Sequence, residues 1–559
     1  MRIDIKKYLE DNWLILPVVS SILFVASAYP FNLWPLSLIA LVPYFYFVHF
    51  SEKISLKKIF IGGFILGFIV CIIFSYFSIA QFHWLPETYL FVWAVKIVGL
   101  PIAIIGGLAS GILSLFLVRV LRLTLILDIF TMSAAYVGLE WLMMKLFWGY
   151  NLARISYPLH DIQFIVGMSS IGGVALSSFI VALINAFIAA FFIGHAHRHK
   201  YPNYSKKLVL AAIATASVFV IIYSLNNWYL NNGGQADLPA QADLSAQAGK
   251  KEATFAIIQF SGESEKFGEF KNGNFSFPLL EKSIREAEKL KPDFIVYPFS
   301  FTGTPISLDK KNRFLEDRSI AIQGNVPEIG QWLKQIVPTS TIFISWNEIV
   351  RDNFYEEIDF WQNGEIIQNY QKRRLFPFID YTPEFSKKIG LYTVPVNAVP
   401  GPHGQISKIG DLNFNDLICS EITNSDLARE NAGKTNIIFS PGSEAVFRGD
   451  TMGNIDVVSA QFRAAENHNP LVRANRFGPS AIIDSNGNIL KRTDYQEEGI
   501  LFGKVSYQNN GPRTFYSIWG DWVPMGADFL FIGVIIFLQI KAARKAKRLN
   551  LGRAGENNA

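Results

Sequence analysis

The residue best placed for covalent chemistry is Cys419, which closes the apolar run in Asn413-Phe-Asn-Asp-Leu-Ile-Cys-Ser-Glu-Ile422. That run reads as a buried strand, and a lone thiol at a strand end is a candidate nucleophile. The other cysteine, Cys71, sits within a long apolar segment, where a thiol acts as a small hydrophobe. Two cysteines build neither a disulfide framework nor a four-ligand zinc site, so no metal and no cofactor are expected. A thiol attacks as thiolate and needs a neighbouring cation and a group to manage its proton. Lys372 is the candidate cation. It lies in Tyr370-Gln-Lys-Arg-Arg-Leu-Phe-Pro-Phe-Ile-Asp-Tyr-Thr-Pro383, where a basic cluster leaves a hairpin strand and enters a proline-bound aromatic segment. A solvated basic turn is the plainer reading of the same residues.

The elements that must position these two alternate between strand-like and helix-like. Ala253–Phe260, Asp293–Tyr297 and Thr341–Ser345 are β-rich runs, and Leu279–Leu290 carries a helical charge pattern. Asp359–Tyr370 forms a hairpin turned at Asn363-Gly364, and Ser480–Ile489 forms another. Further strands end at Cys419 and at Ser440. The alternation predicts a layered α/β domain rather than a β-sandwich.

The rest of the chain has a different character. Half of its 559 residues are hydrophobic, 17% are charged and 47 are Phe, which points to a membrane. Apolar spans of about 20 residues, enough to cross a bilayer, fall near 13–29, 34–50, 58–81, 88–118, 123–147, 162–194, 207–225 and 526–540. The basic connections Arg2/Lys6/Lys7, Lys53/Lys57/Lys58, Arg119/Arg122, Arg198/Lys200/Lys206/Lys207 and Lys541–Arg548 alternate with nearly bare ones. Positive loops mark the cytoplasmic side, so both termini are expected there and the α/β domain on the far side. A net charge of +5 gathered in short clusters argues against a nucleic-acid partner. Gln235-Ala-Asp-Leu-Pro-Ala240, repeated as Gln241-Ala-Asp-Leu-Ser-Ala246, reads as a spacer. Gly106-Gly107 and Gly111 suit close helix packing within a span. Glu140, an ionisable group in an apolar span, is read equally as functional or structural.

Taken together, the segments resemble the nitrilase (carbon-nitrogen hydrolase) superfamily, and the eight-span frame narrows the likeness to apolipoprotein N-acyltransferases. The likeness rests on Ala28–Pro43, Leu139-Glu-Trp-Leu142 and Phe147-Trp-Gly-Tyr150 in the membrane part. In the α/β part it rests on Lys372 with Leu375-Phe-Pro-Phe378, Ile418-Cys-Ser-Glu-Ile422, Arg463-Ala-Ala-Glu466 and Pro470-Leu-Val-Arg-Ala474. It implies a polytopic α-helical bundle of about eight spans carrying an extracytoplasmic nitrilase-like α-β-β-α sandwich. The corresponding divisions are a seven-span bundle (1–228), a low-complexity linker (229–251), the nitrilase-like domain (252–508), a return segment with the eighth helix (509–541) and a basic cytoplasmic tail (542–559).

The resemblance also implies an activity. A Cys419 thioester would carry a fatty acyl group from phospholipid to the N-terminal amine of a diacylglyceryl lipoprotein, in a bacterial cell membrane, with the protein acting as a monomer. Cys419 would be the nucleophile and Lys372 the cation, with Ser420 near a second oxyanion donor and Glu421 ordering the pocket. This sequence departs from the pattern at four places. Phe299 stands where the family's general-base glutamate belongs, Asp380 replaces a second glutamate, Ser420 replaces an aromatic, and Phe267 replaces an early loop tryptophan. Asp380 and Glu421 are candidate replacements for the missing acid/base. Two other readings stay open: a membrane-bound amide hydrolase, and a catalytically silent protein that binds lipid or lipoprotein.

Overall fold

The computed structural model describes residues 12–50, 54–79, 99–121, 124–147, 153–196, 203–232, 250–260, 269–271, 274–276, 278–298, 307–309, 326–350, 353–377, 379–388, 397–443, 449–508 and 513–529, with Ile532, Gly533 and Ile536. Phe267, Phe299 and parts of the expected spans at 88–118 and 526–540 lie outside the described residues.

The first part of the chain is a helical bundle. It comprises α1 (Ile15–Ser27), α2 (Val42–Phe50), α3 (Leu56–Ile79), α4 (Leu100–Val120), α5 (Leu125–Leu146), α6 (Gln163–Ala196) and α7 (Tyr204–Asn231). Among the described residues, five helices, α3 to α7, are long and apolar enough to cross a membrane. Small residues bring α3 and α4 together: a Cβ on Gly67 would meet the Gly106 carbonyl, and one on Gly63 would meet Ser114. Polar groups inside the bundle are paired, as burial demands. Asn185 accepts from Leu41 N at 2.8 Å and donates to Ser37 O at 2.9 Å, clamping the chain that leads into α2. The expected span at 162–194 is not one regular helix. Gly172 and Gly173 leave helical geometry, with φ +67° at Gly173, and split α6 into two segments. A side chain at that φ would be strained, and a Cβ there would lie 2.5 Å from the Tyr516 ring.

The second part is a four-layer α/β domain. The strands of its two main sheets are β1 (Lys250–Gln259), β2 (Phe294–Tyr297), β3 (Ser307–Asp309), β4 (Thr341–Val350), β5 (Asn353–Gln362), β6 (Glu365–Gln371), β7 (Ser407–Ile409), β8 (Leu412–Asp416), β9 (Ile437–Gly442), β10 (Leu471–Asn475), β11 (Ala481–Ile483), β12 (Ile489–Arg492) and β13 (Gly499–Gln508). One sheet runs β13-β1-β2-β4-β5-β6, with β3 beside β4, and the other runs β12-β11-β10-β9-β8-β7. Their inner faces bury Phe255, Phe294, Phe343, Phe360, Phe414 and Phe439, which accounts for part of the phenylalanine content. The Phe343 ring meets Phe360 edge-on at 4.5 Å and Phe439 at 4.8 Å, a geometry that aromatic quadrupoles favour.

Helices cover the outer faces. α8 (Pro278–Lys289) and α9 (Val326–Ile336) set Ile284, Ala287, Leu333 and Ile336 on the first sheet. α10 (Ser425–Glu430) and α11 (Thr451–Asn467) set Ala428, Val457, Ala460 and Ala464 on the second. The other side of α11 meets the bundle, where Val458, Phe462 and Ala465 pack against Tyr157, Val166 and Val174. This helix is therefore covered on both sides.

Candidate active site

The β5–β6 hairpin turns at Asn363-Gly364, where φ is +51° and +80°, the left-handed pair that a two-residue turn between twisted strands requires. Lys372 follows the last residue of β6 and is still held in register: its N–H donates to Glu356 O at 2.8 Å, and its carbonyl accepts from Gly401 N at 2.8 Å. The side chain is 1% exposed. Its ammonium donates to Glu356 Oε2 at 2.8 Å and to Asp380 Oδ2 at 2.5 Å. Burial alone would drive this amine toward its neutral form, but Asp380 and then Glu356 outweigh it and hold Lys372 well above its ordinary range. The same Asp380 oxygen accepts from Phe376 N at 2.6 Å, which fixes the carboxylate in place.

Glu356 responds in the opposite way. Burial first, and Asp380 second, push its carboxyl up to about 8 against the pull of Lys372, so it carries a proton near neutrality. Lys372 holds one full positive charge, and a buried site with one cation and two ionised carboxylates would be left with a net negative charge. Retaining a proton on Glu356 removes that charge at the lowest desolvation cost.

The thiol arrives from the other sheet. β8 runs parallel to β9, Leu417 N donates to Phe439 O at 2.9 Å, and the fully buried Ile418 leads into a single 3₁₀ turn, Cys419–Thr423. Cys419 itself has φ +51°. A non-glycine residue there is uncommon, and such strain gathers at functional sites because the surrounding structure must enforce it. Cys419 is half-buried at the edge of the inter-sheet core, within electrostatic reach of Lys372.

Glu421 joins the two halves. Its Oε2 accepts from Ile418 N at 2.8 Å and from the Tyr370 hydroxyl at 2.9 Å; its Oε1 accepts from Arg373 N and Arg374 N, both at 2.8 Å. Four donors occupy its lone pairs, so its geometry suits holding loops more than moving protons. Of the residues singled out from sequence, Lys372, Asp380, Cys419, Ser420 and Glu421 thus lie in one region, while Phe267 and Phe299 lie outside the described residues.

Glu356 was not among the expected site residues. Counting the hairpin outward from Asn363-Gly364 pairs 362 with 365 and 361 with 366, and would set Tyr355 opposite Lys372. One extra residue, Ile367, enters the second strand between the pairs Trp361–Ile366 and Phe360–Gln368, so that Glu357 faces Gln371 and Glu356 comes opposite Lys372. A one-residue slip exchanges the two faces of a strand. The available signal was a run of acids, Glu356, Glu357 and Asp359, on a strand one turn away from the lysine.

Two family models match the chain. One, described as Apolipoprotein N-acyltransferase N-terminal domain, covers residues 20–187, and the other, described as Carbon-nitrogen hydrolase, covers residues 281–511. Apolipoprotein N-acyltransferases from Rhizobium rhizogenes and Geobacter metallireducens are 26% and 24% identical, over 78% and 69% of both chains respectively. Apolipoprotein N-acyltransferase 1 of Treponema denticola is 23% identical over 94% of this chain and 96% of that protein. The chain belongs to the apolipoprotein N-acyltransferase family, within the carbon-nitrogen hydrolase superfamily. In this family member the two matched stretches end inside α6 and begin inside α8. They leave β1 between them, although β1 is an inner strand of the larger sheet.

The acyltransferase domain is latched to its bundle at the break in α6. The N–H of Val174, freed by the two preceding glycines, donates to Glu466 Oε1 at 2.8 Å, and Arg463 holds the same oxygen at 2.9 Å. The one acid and the one base of this latch both come from Arg463-Ala-Ala-Glu466 on α11. A second tie passes through Glu140 on α5, which accepts from Ile155 N at 2.9 Å and the Tyr136 hydroxyl at 3.0 Å. It fixes the loop whose His160 bonds Gln461 of α11 at 3.0 Å. Glu140 therefore has a structural explanation.

Proposed function

We propose that this protein transfers a fatty acyl group from a phospholipid to the N-terminal amine of a diacylglyceryl lipoprotein through a thioester on Cys419. The observation that carries this reading is a strained strand-end thiol beside a buried, doubly anchored ammonium, in a domain docked on apolar helices. In the first half-reaction Sγ attacks the ester carbonyl carbon, the carbonyl oxygen becomes an oxyanion, and the carbon–oxygen bond to glycerol breaks. The Lys372 ammonium is suited to stabilise both the thiolate and the oxyanion, with the backbone N–H at Ser420 as a second donor. In the second half-reaction the lipoprotein amine attacks the thioester carbon and Sγ leaves.

The alternating basic connections support cytoplasmic termini and an extracytoplasmic domain, the side on which a lipoprotein's modified N-terminus lies. An amide hydrolase with the same residues has no need of a bundle latched to its outer helix. Replacement of a glutamate by Phe299 favours a second reading, a silent lipid-binding relative, and one experiment separates the two. Purified protein incubated with acyl-labelled phospholipid is expected to carry hydroxylamine-sensitive label on the peptide containing Cys419, and Cys419→Ala is expected to carry none. Lipid bound without any covalent label would favour the silent relative.

A further inference from the structure

We propose that Glu356 is the proton holder of this site, handing a proton through Lys372 to the oxygen that leaves as Cys419 is acylated and taking one back as the thioester is aminolysed. The proposal rests on the acyl-transfer reading and adds a residue that neither the motifs nor the comparisons single out.

The geometry leaves few candidates for this role. Among the described residues the carboxyls on Lys372 are those of Glu356 and Asp380. Glu421 has its acceptor positions filled by four donors, three of them backbone N–H groups. Asp380 is committed twice through one oxygen, to Lys372 and to Phe376 N. A counter-ion for one ammonium requires one carboxylate, and this buried site has two. Both carboxyls converge on that one ammonium, and the nearby Asp380 adds to burial in raising the Glu356 carboxyl, so Glu356 is the one that keeps a proton.

The groups acting on Glu356 can be named element by element. Lys372 faces it from the exit of β6 and Asp380 from the 376–380 turn, with Cys419 beyond Lys372. On the other side β4 meets it through the backbone pair with Asn347. Glu357 points to the opposite face, where it accepts from Asn369 and Gln371, each at 2.9 Å. Burial and Asp380 keep the Glu356 carboxyl protonated up to about pH 8.

The proton balance closes over one cycle. At rest Cys419 is thiolate, Lys372 ammonium, Asp380 carboxylate and Glu356 carboxylic acid. As the carbon–oxygen bond breaks, Lys372 gives a proton to the departing alkoxide, which leaves as the lysophospholipid alcohol, and takes the Glu356 proton in its place. The attacking amine then loses a proton to Lys372 while Lys372 returns one to Glu356. The carbon–sulfur bond breaks and the thiolate is restored. Glu356 touches Lys372 and no reacting atom, so it acts as a relay.

The test measures single-turnover acylation of Cys419 from labelled phospholipid in detergent micelles, from pH 5.5 to 9.5, on full-length wild type, Glu356→Gln and Glu356→Asp. Wild type is expected to lose acylation rate above about pH 8. Glu356→Gln can still accept from Lys372, so a counter-ion's geometry is kept. It is expected to acylate about 100-fold more slowly and to lose the high-pH fall. Glu356→Asp is expected to recover at least about tenfold of that loss. Equal rates and an equal pH profile in wild type and Glu356→Gln would overturn the relay and leave acyl transfer standing. Absence of label on wild type would overturn both. If Glu356→Gln fails to fold, as judged by its melting transition, Glu356→Asp decides alone, since an unaltered pH profile in that variant overturns the relay.

Discussion

Glu421 accepts the backbone N–H of Arg373 at 2.8 Å, so the loop that begins at Cys419 and the loop that begins at Lys372 are tied by one carboxylate. Lys372 follows a strand of one sheet and Cys419 follows a strand of the other, and among the described residues no hydrogen bond of either ladder relates them. Their separation is set by this tie and by the bond from Ile418 N to the same side chain. Glu421→Gln turns an acceptor oxygen into a donor facing N–H groups, at a cost of about 2–3 kcal/mol in unsatisfied buried donors. Melting in detergent should fall accordingly. Acylation of Cys419 should fall at least about tenfold at temperatures where the variant remains folded.

Gly173→Ala probes the latch. The alanine would have to hold φ +67° and place its Cβ 2.5 Å from the Tyr516 ring. The left-handed conformation alone costs about 1–2 kcal/mol for a residue with a Cβ, and relief of either strain moves Val174 N away from Glu466. A lower melting temperature is expected, together with easier proteolytic separation of bundle and domain. Val174→Ala, which keeps the N–H, should stay near wild type in that separation.

Three buried carboxyls give the stability a definite pH dependence. Burial pushes Glu356 up to about 8, Asp416 up to about 7 and Glu466 up to about 7. In the unfolded chain each titrates near 4, so between about pH 4 and pH 8 the folded state holds more protons than the unfolded one. Stability from these groups is complete below that window and is lost as pH rises through 7 to 8. The melting temperature should drop by roughly 5 °C or more between pH 5.5 and pH 8.5. Asp416→Asn, whose neighbour Ser407 still has an acceptor, should flatten the slope.

Much of this architecture is legible in the chain because it is periodic or compositional. Apolar runs mark membrane helices, and the Asn363-Gly364 pair marks its turn by the backbone angles only such residues adopt readily. Cys419, Lys372, Asp380 and Glu421 stand out as reactive or charged residues bordering apolar strands. What stayed hidden depends on a single residue of register or on tertiary contact. The bulge at Ile367 decides whether Glu356 or Tyr355 meets Lys372, and a bulge leaves no compositional mark. The break at Gly172-Gly173 lies inside an apolar run long enough to read as one span, and it shows only when Tyr516 and Glu466 are brought against it. The left-handed turn at Cys419 is likewise imposed by neighbours, since cysteine has no preference for it.

Lys372→Met tests whether the ammonium serves the site's chemistry or its stability. Methionine fills nearly the same volume, so the cavity around Glu356 and Asp380 stays closed, but the two carboxyls lose their common cation. The ionised form of Glu356 then becomes costlier, and its carboxyl is expected to titrate higher than in wild type. At pH 5.5, where the Glu356 carboxyl holds its proton in both proteins, the variant should melt closest to wild type. By pH 8.5 it should have lost more stability than wild type over the same interval, because more proton release is opposed by the fold. Acylation of Cys419 should be reduced by at least about 1,000-fold at both pH values, since neither thiolate nor oxyanion retains its partner. A variant as active as wild type at pH 5.5 would remove Lys372 from the chemistry while leaving its part in the buried charge balance intact.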